Sequence, residues 1–382
     1  MIKVFYWSPF ISKIATSKAV INSAISLIKY SNKKISPFII NLFGEWNIFS
    51  NDIQTNELKV INLFKKNKRI KLPDTGFILS RLSFIIIFLF SFFPLLSLLK
   101  KIKPEYLIIH LNTSLPLILL LFFNFETKFI LRISGYPKLH FLRKIFWKIV
   151  SKKIYKVFTP TEITKKMLIE HGIFSKNSIF LLRDPIISIT DLKILKKKEI
   201  DEKFDYNNFI LSIGRLTKQK NFQFLIEAYA FVKQEVKNLP YLIIIGEGEE
   251  KNYLIEKIRE YKLEKDVLLL GYRNNVFKYL NKSLFFLLSS DWEDPGFVLV
   301  EAAACNKLIL CSDVLSGPKE FLHNKNSGFL YEKGSLEDFK KKIKYILYNI
   351  HSKEIFSKKV NAKKNSKNYT IFCHFKELSK LL

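Results

Sequence analysis

The sequence predicts an α/β protein made of two doubly wound domains, each a parallel sheet with helices on both faces. Short, continuous apolar runs alternate with helical patterns along the whole 382-residue chain. Parallel strands covered on both faces read this way, without the alternation of a half-exposed strand. The runs also fall into two sets on either side of a charged stretch, so each set builds its own sheet.

In chain order the first set is "KVFYW", "YLIIHL", "KFILRIS", "KVFTP" and "SIFLL", and the second is "FILSIG", "YLIIIG", "VLLLG", "LFFLLSS" and "KLILCSD". Between them "DLKILKKKEIDEK", residues 191–203, has no strong period and reads as a linker. The expected domains are therefore 1–190 and 204–365, with a terminal helix in 366–382 able to cross back to the first domain. The stretch "LSFIIIFLFSFFPLLSLL", residues 82–99, is 18 uncharged residues between Arg81 and Lys100. Its length is that of a borderline membrane span. A span would place "YLIIHL" across the bilayer from the strands it should pair with, and Pro94 breaks the middle of the segment. The favoured expectation is a helix partly buried in the first domain whose outer surface dips into a membrane face; a true span and an ordinary buried helix are the alternatives.

Hydrophobic residues make up 48% of the chain, which excludes a disordered protein. The three cysteines, Cys305, Cys311 and Cys373, form no CxxC pair. That pattern fits core residues in a reducing cytoplasm and argues against a structural zinc. The N-terminal "MIKVFYWSPFISK" lacks a secretory h-region, so the expected location is cytoplasmic. Net charge is +29, and residues 1–203 hold 34 Lys+Arg against 13 Asp+Glu. No helix-turn-helix, finger or aromatic RNA-binding signature accompanies that charge, so nucleic acid is not the expected partner. An anionic membrane surface or a phosphorylated lipid suits it better, which places the chain peripherally at the inner face of the cell membrane. Compositional drift toward Lys, Ile, Asn and Phe is the competing account. Eight of the basic residues are arginines, and Arg132, Arg183, Arg215 and Arg273 stand in or near loops where a guanidinium fork could grip phosphate.

The stretch "FILSIGRLTKQKNFQFLIEAY" ends a strand at Gly214, carries Arg215 and Lys220 in a loop, and places Asn221 to cap a helix with apolar Phe222, Leu225 and Ile226. Two cations thus flank a helix N-terminus at the carboxyl edge of a parallel sheet, an arrangement that suits a diphosphate and equally describes a solvated βα loop. "IIIGEGEEKN" supplies Gly246 and Gly248 at the next edge. It is no dinucleotide fingerprint, because Lys251 stands where a third glycine would be, so a nicotinamide dehydrogenase is disfavoured. In "DWEDPGFVLVEAAAC" Asp294 and Pro295 resemble a helix start, with Glu293 in the loop before it and Glu301 near the second turn of an otherwise apolar run. Glu301 must be hydrogen-bonded or solvated there. The two acids are either a loop acid and an exposed helix residue, or a ligand-binding pair.

Taken in order, "GRLTKQKN", "GEGEEKN", "LLLGYRNN", "SSDWEDPGFVLVEAAA" and "CSDVLSGPKEFLHNKNSGFLY" resemble the retaining glycosyltransferases of family 4 over roughly residues 208–335. The resemblance implies the GT-B fold, two Rossmann-like domains facing each other across a cleft, and a nucleotide-sugar donor, with UDP favoured. It implies that Arg215 and Lys220 bind the donor diphosphate, Glu301 the ribose and Glu293 the donor sugar. Gly214 and Gly246 would border the donor, Gly271 and Tyr272 would hold the base, and the amides of Gly296 and Phe297 would lie near the sugar or phosphate. No cofactor is implied. With no D-x-D in the chain, Arg215 and Lys220 would neutralise the leaving group in place of a metal. The acceptor hydroxyl would attack on the face the nucleoside diphosphate leaves, with configuration retained. The chain departs from the family at Asp294–Pro295, where glycine and an aromatic are usual, and at "LSGPKEF", a variant associated with lipid-linked or surface glycan synthesis. The usual histidine after "FILRIS" is missing, and His110 after "YLII" reads as a packed or capping residue. A nucleotide-sugar epimerase or hydrolase, and a non-catalytic membrane-bound scaffold, are the competing functions.

Overall fold

The computed structural model describes residues 1–11, 15–64, 72–73, 77–135, 137, 139–200, 208–294, 296–315, 317–323 and 325–382. The chain divides into two compact units, Met1–Ile186 with Ile371–Leu382, and Ile187–Thr370.

Among the described residues the first unit holds a seven-stranded parallel sheet. Its strands are β1 (Ile2–Trp7), β2 (Ile35–Asn41), β3 (Lys59–Asn62), β4 (Tyr106–Ile109), β5 (Lys128–Arg132), β6 (Lys156–Thr159) and β7 (Ile179–Leu181), in the order β3-β2-β1-β4-β5-β6-β7. The five apolar runs read from the first half are β1 and β4 to β7. The sequence reading missed β2 and β3. Pro37 lies inside β2, in register with Val4 of β1, and proline ordinarily demotes a run from sheet interior because it cannot donate to the ladder. β3, "KVIN", is short and half-exposed at the sheet edge.

The second unit holds a six-stranded parallel sheet of β8 (Phe209–Ile213), β9 (Tyr241–Ile245), β10 (Val267–Leu269), β11 (Phe285–Leu288), β12 (Leu308–Asp313) and β13 (Phe329–Glu332), in the order β10-β9-β8-β11-β12-β13. β13 is the missed strand, four residues at the sheet edge inside "SGFLYEK". Each sheet reverses its order once, between β1 and β4 and between β8 and β11, and ligands of such sheets bind beyond the carboxyl ends at that reversal.

Residues 191–203 are not a free linker over their described part. Ser188 caps the helix Ile189–Leu195, Leu192 is buried, and the Asn275 side-chain amide donates to the Leu195 carbonyl at 2.9 Å, so the segment packs on the second unit. Its charges fall on the exposed side of that one helix, which hid the packing. Residues 201–203 lie outside the described residues.

Helix Phe77–Ile102 passes through Pro94 without ending. The amide that proline lacks would have bonded the carbonyl of Phe90, on an exposed face where water can satisfy it. Among the described residues this is the one helix long and apolar enough to cross a membrane. Its every-fourth stripe, Ser83, Ile87, Ser91, Leu95 and Leu99, is buried, and the apolar members join Phe5, Trp7 and Leu107 of the sheet in one core. Leu82, Ile85, Leu89, Phe90 and Phe93 are exposed. The helix is therefore a sheet-covering crossover with hydrocarbon on its outer side.

Two polar contacts close the first unit. Buried Arg132, at the end of β5, pairs with buried Asp184 at 2.6 Å and donates to the Ile133 carbonyl at 2.6 Å. The helix Ile371–Leu381 packs on Ala15–Tyr30 through a chain of hydrogen bonds. His374 Nδ1 donates to the Arg183 carbonyl at 2.7 Å, which leaves Nε2 to accept from Ser23 Oγ at 2.8 Å, and the Tyr6 hydroxyl donates to Ser23 Oγ at 2.9 Å. Burial lowers the His374 pKa to about 4, so the ring stays neutral and this donor order holds. Asp184→Ala strands the Arg132 guanidinium in the core. It should lower the stability of the first unit by about 3–5 kcal/mol, read from its denaturant midpoint.

Candidate active site

The candidate site grows from two loops at the reversal of the second sheet. Beyond β8 the chain runs from Gly214 through the short turn Lys218–Lys220 to Asn221, which takes a left-handed backbone (φ 47°). The Asn221 side-chain carbonyl accepts from the Phe224 amide at 3.2 Å and starts the helix Phe222–Glu235, in which Phe222, Leu225 and Ile226 are buried. Beyond β11 lie Ser289, Ser290, Asp291, Trp292 and Glu293. The loops are sewn together: the Asp291 amide donates to the Gln219 carbonyl at 2.8 Å, the Gln219 side chain to the Trp292 carbonyl at 2.9 Å, and Ser289 Oγ to the Lys220 carbonyl at 2.8 Å.

On this frame Lys220 Nζ forms an ion pair with Glu293 Oε1, and Ser290 Oγ donates to the same oxygen at 2.7 Å. Glu293 is buried and Lys220 nearly so. Arg215, five residues before Lys220, is exposed, and among the described residues its guanidinium has no partner. The spacing of Arg215 and Lys220 therefore delivers one cation already paired with the acid through one of its three donors and one without a side-chain partner among the described residues.

Gly214, Gly246 and Gly271 stand side by side at the ends of β8, β9 and β10: the Gly214 amide donates to Ile245 and the Gly246 amide to Gly271, both at 3.0 Å. A β-carbon at Gly246 would lie 1.8 Å from the Gly214 carbonyl oxygen, so close approach of the two strand ends requires glycine there. Tyr272 is exposed. Arg273 instead turns to the Tyr279 hydroxyl at 3.2 Å, and Arg132 is locked to Asp184, so neither is an open phosphate ligand.

Asp294 is not the helix cap that the sequence suggested. The helix runs Phe297–Ala304, and the residue before it is Gly296 in the left-handed region (φ +84°), a backbone that aspartate enters only at a cost. Pro295 lies outside the described residues. Phe297 begins the helix and Glu301 follows one turn later, partly exposed among buried Leu299, Val300, Ala302 and Ala303. No residue among those described pairs with the Glu301 carboxyl. Burial pushes its pKa up to about 7.

The structure thus joins Lys220 to Glu293, brings Gly214, Gly246 and Gly271 to one edge, and sets Glu301 on the helix that follows Glu293. Ser290 was missed by sequence reasoning; its signal was a hydroxyl three residues before the first acid, at a strand end. His110 belongs to the first unit, where it is buried, with Nε2 unpartnered and a pKa held well below the usual histidine range by burial.

The architecture built by these two sheets is GT-B, shared over the whole chain with solved structures. A glycosyltransferase from Rickettsia africae ESF-5 matches with a TM-score of 0.73 at 16% identity, covering 100% of this chain and 97% of that one. Anabaena HepE in complex with UDP matches with a TM-score of 0.71 at 16% identity, covering 100% and 99%. Residues 193–368, within the second unit, match the model of the family described as glycosyl transferases group 1. A Campylobacter jejuni relative, the N-acetylgalactosamine-N,N'-diacetylbacillosaminyl-diphospho-undecaprenol 4-alpha-N-acetylgalactosaminyltransferase, is 30% identical over 239 residues. That match covers 60% of this chain and 63% of the relative, so the chain spans less than two thirds of the relative's length.

Glu301 makes the second unit pH-sensitive in a definite direction. Its pKa rises from 4.5 in the free side chain to about 7 in the fold, so between those values the folded state holds a proton that the unfolded chain has released. Stability must therefore fall as pH rises through this window, because ionising the carboxyl in place is unfavourable. Glu301→Gln should remove that slope. Chemical denaturation of wild type and variant between pH 5 and pH 7.5 checks it, and parallel slopes would show the carboxyl to be solvated.

Proposed function

We propose that the chain transfers a sugar from a nucleotide-sugar donor, a UDP-sugar by preference, to a lipid-linked or cell-surface glycan acceptor. Transfer proceeds with retention and without a metal. The observation carrying this reading is the Lys220–Glu293 pair at the sheet reversal, with the unpartnered Arg215 guanidinium on the same loop.

In this reading Arg215 and Lys220 take the donor diphosphate and neutralise the charge that develops as it leaves. The Glu301 carboxylate accepts hydrogen bonds from the ribose diol. Lys220 and Ser290 already fix Oε1 of Glu293, so Oε2 serves the sugar hydroxyls. Gly214 and Gly246 form the glycine edge beside the donor, Gly271 and Tyr272 border the base, and the amides of Gly296 and Phe297 face the sugar or phosphate. The acceptor hydroxyl attacks on the face from which the nucleoside diphosphate departs, and a leaving phosphate oxygen takes its proton. The UDP held by HepE supports the nucleotide, and the diphospho-undecaprenol in the Campylobacter relative's name supports a lipid carrier for the acceptor.

Arg215→Ala and Glu301→Ala should each weaken UDP binding by about 1.5–3 kcal/mol, the range for losing a hydrogen bond to a charged group. Glu293→Gln should leave UDP affinity no weaker while lowering transfer from the intact donor. Calorimetry and sugar-transfer rates on the folded variants read both effects. Wild-type UDP affinity in Glu301→Ala together with wild-type transfer in Glu293→Gln would sink the assignment, and donor consumption without acceptor would point to a hydrolase or epimerase.

The proposed location is the inner face of the cell membrane, held peripherally. Helix Phe141–Ser151 exposes Phe141, Leu142, Ile145 and Ile149 while burying Trp147 and Val150, and Arg143, Lys144 and Lys148 lie between them. Exposed hydrocarbon beside cations is the composition of an interfacial helix on anionic lipid. Binding to vesicles containing phosphatidylglycerol should weaken with salt but persist in part, and Ile145→Glu with Ile149→Glu should reduce the salt-resistant fraction. Complete release of wild type by salt would remove the apolar half of the proposal.

A further inference from the structure

Helix Phe77–Ile102, Asn112 after β4 and the start of the helix Ser114–Phe122 border a half-open cavity of about 250 Å³ in the first unit. Phe84, Ile85, Ile87, Phe88 and Leu115 give it apolar walls, while Asn112 and Ser114 are its polar contributors. Apolar cavities of about 150 Å³ admit benzene, so the size and mostly apolar lining of this space suit a hydrocarbon segment.

Three features say which hydrocarbon. Phe84 and Ile85 line the cavity and are also 41% and 54% exposed, on the same helix as exposed Leu82, Leu89 and Phe93, so the cavity is continuous with the apolar outer face. Its polar residues follow β4, one of the two strands at the reversal of the first sheet, where ligands of such folds bind. The basic excess of residues 1–203 matches an anionic head.

We propose that this cavity receives a hydrocarbon segment of the acceptor's lipid carrier, with the carrier's phosphate-bearing head toward Asn112 and Ser114. The chain would pass from the apolar outer face of the helix into the cavity and so bring the head to the carboxyl edge of the sheet. This deepens the transferase reading and rests on its lipid-linked acceptor.

The probes are decyl phosphate below the concentration at which it forms micelles, and inorganic phosphate, titrated into the full-length chain by calorimetry. Decyl phosphate should bind at least about tenfold more tightly than phosphate, because burial of each methylene adds favourable free energy. Ser114→Leu, at an exposed helix start, places an isobutyl group at the cavity and should cost about tenfold in decyl phosphate affinity. The same substitution adds apolar surface, so a chain merely lying on the outer face would bind it equally or better, and that result would overturn the proposal. Equal affinity of wild type for decyl phosphate and phosphate would overturn it too. Ile85→Glu, at a half-exposed wall position, supplies a second variant expected to lose decyl phosphate binding if Ser114→Leu fails to fold. UDP binding on the same preparations separates the two readings. UDP binding without chain binding removes the cavity proposal alone, and chain binding without UDP binding removes the transferase reading alone.

Discussion

The second unit depends on a charge that the fold cannot leave unpaired. Glu293 is buried beyond β11, where a lone carboxylate would cost several kcal/mol, about as much as a small domain can spare. Lys220 and Ser290 meet that cost from two directions, and they can do so only because the loops after β8 and β11 are held together by backbone and side-chain hydrogen bonds from Gln219, Ser289 and Asp291. The reversal of strand order is what makes those loops neighbours. In a sheet whose connections all ran one way, a helix would cover that edge and the two loops would not face open space together. The pair, the stitching and the topology are therefore one constraint seen at three scales.

The same constraint separates the roles of the two cations. Lys220 is drawn inward by Glu293, whereas Arg215 remains exposed and without a partner among the described residues. A planar guanidinium in that state is suited to a diphosphate, since it offers two parallel donors to the oxygens of one phosphate. Glu301 is the complementary case. Its carboxyl sits partly buried with no protein partner among the described residues and a pKa near 7, so the fold bears its cost in place, and a diol donating two hydrogen bonds would offset it.

The strands buried on both faces were legible because a short, continuous apolar run between turn residues can be buried on both sides only at the centre of a parallel sheet, and all ten runs read as strands are strands. The three missed strands fail that signal for separate reasons: Pro37 in β2, half-exposed charge in β3, and in β13 an apolar run of Phe329, Leu330 and Tyr331 cut off by Glu332. Asn221 was legible as a cap because side-chain chemistry decides that role locally. Asp294 misled because the same local rule favoured it, while the left-handed turn at Gly296, two residues later, decides where the helix begins. Ser290 and the turn of Arg273 toward Tyr279 were missed although their partners are local, three and six residues on. The pairing of Lys220 with Glu293 depends instead on the ends of β8 and β11 becoming neighbours, and partners chosen by topology could not be read from the chain.

The two units share a sheet topology and each pairs its buried charge internally, but they differ in what they leave exposed at their edges. The first unit closes its buried charge internally: Arg132 pairs with Asp184, and His374 stays neutral between Ser23 and the Arg183 carbonyl. What it leaves uncovered is hydrocarbon, on the outer face of Phe77–Ile102 and along Phe141–Ser151. The second unit keeps Arg215 exposed at its strand ends, beside the buried Lys220–Glu293 pair, and gathers a core around Phe222, Leu225 and Ile244. Burial of Ile87, Leu95 and Leu99 fixes the helix on its sheet, and exposed Leu89, Phe90 and Phe93 add little to that, since surface substitutions usually change stability by about 0.5 kcal/mol or less. The exposed stripe is therefore not a requirement of folding.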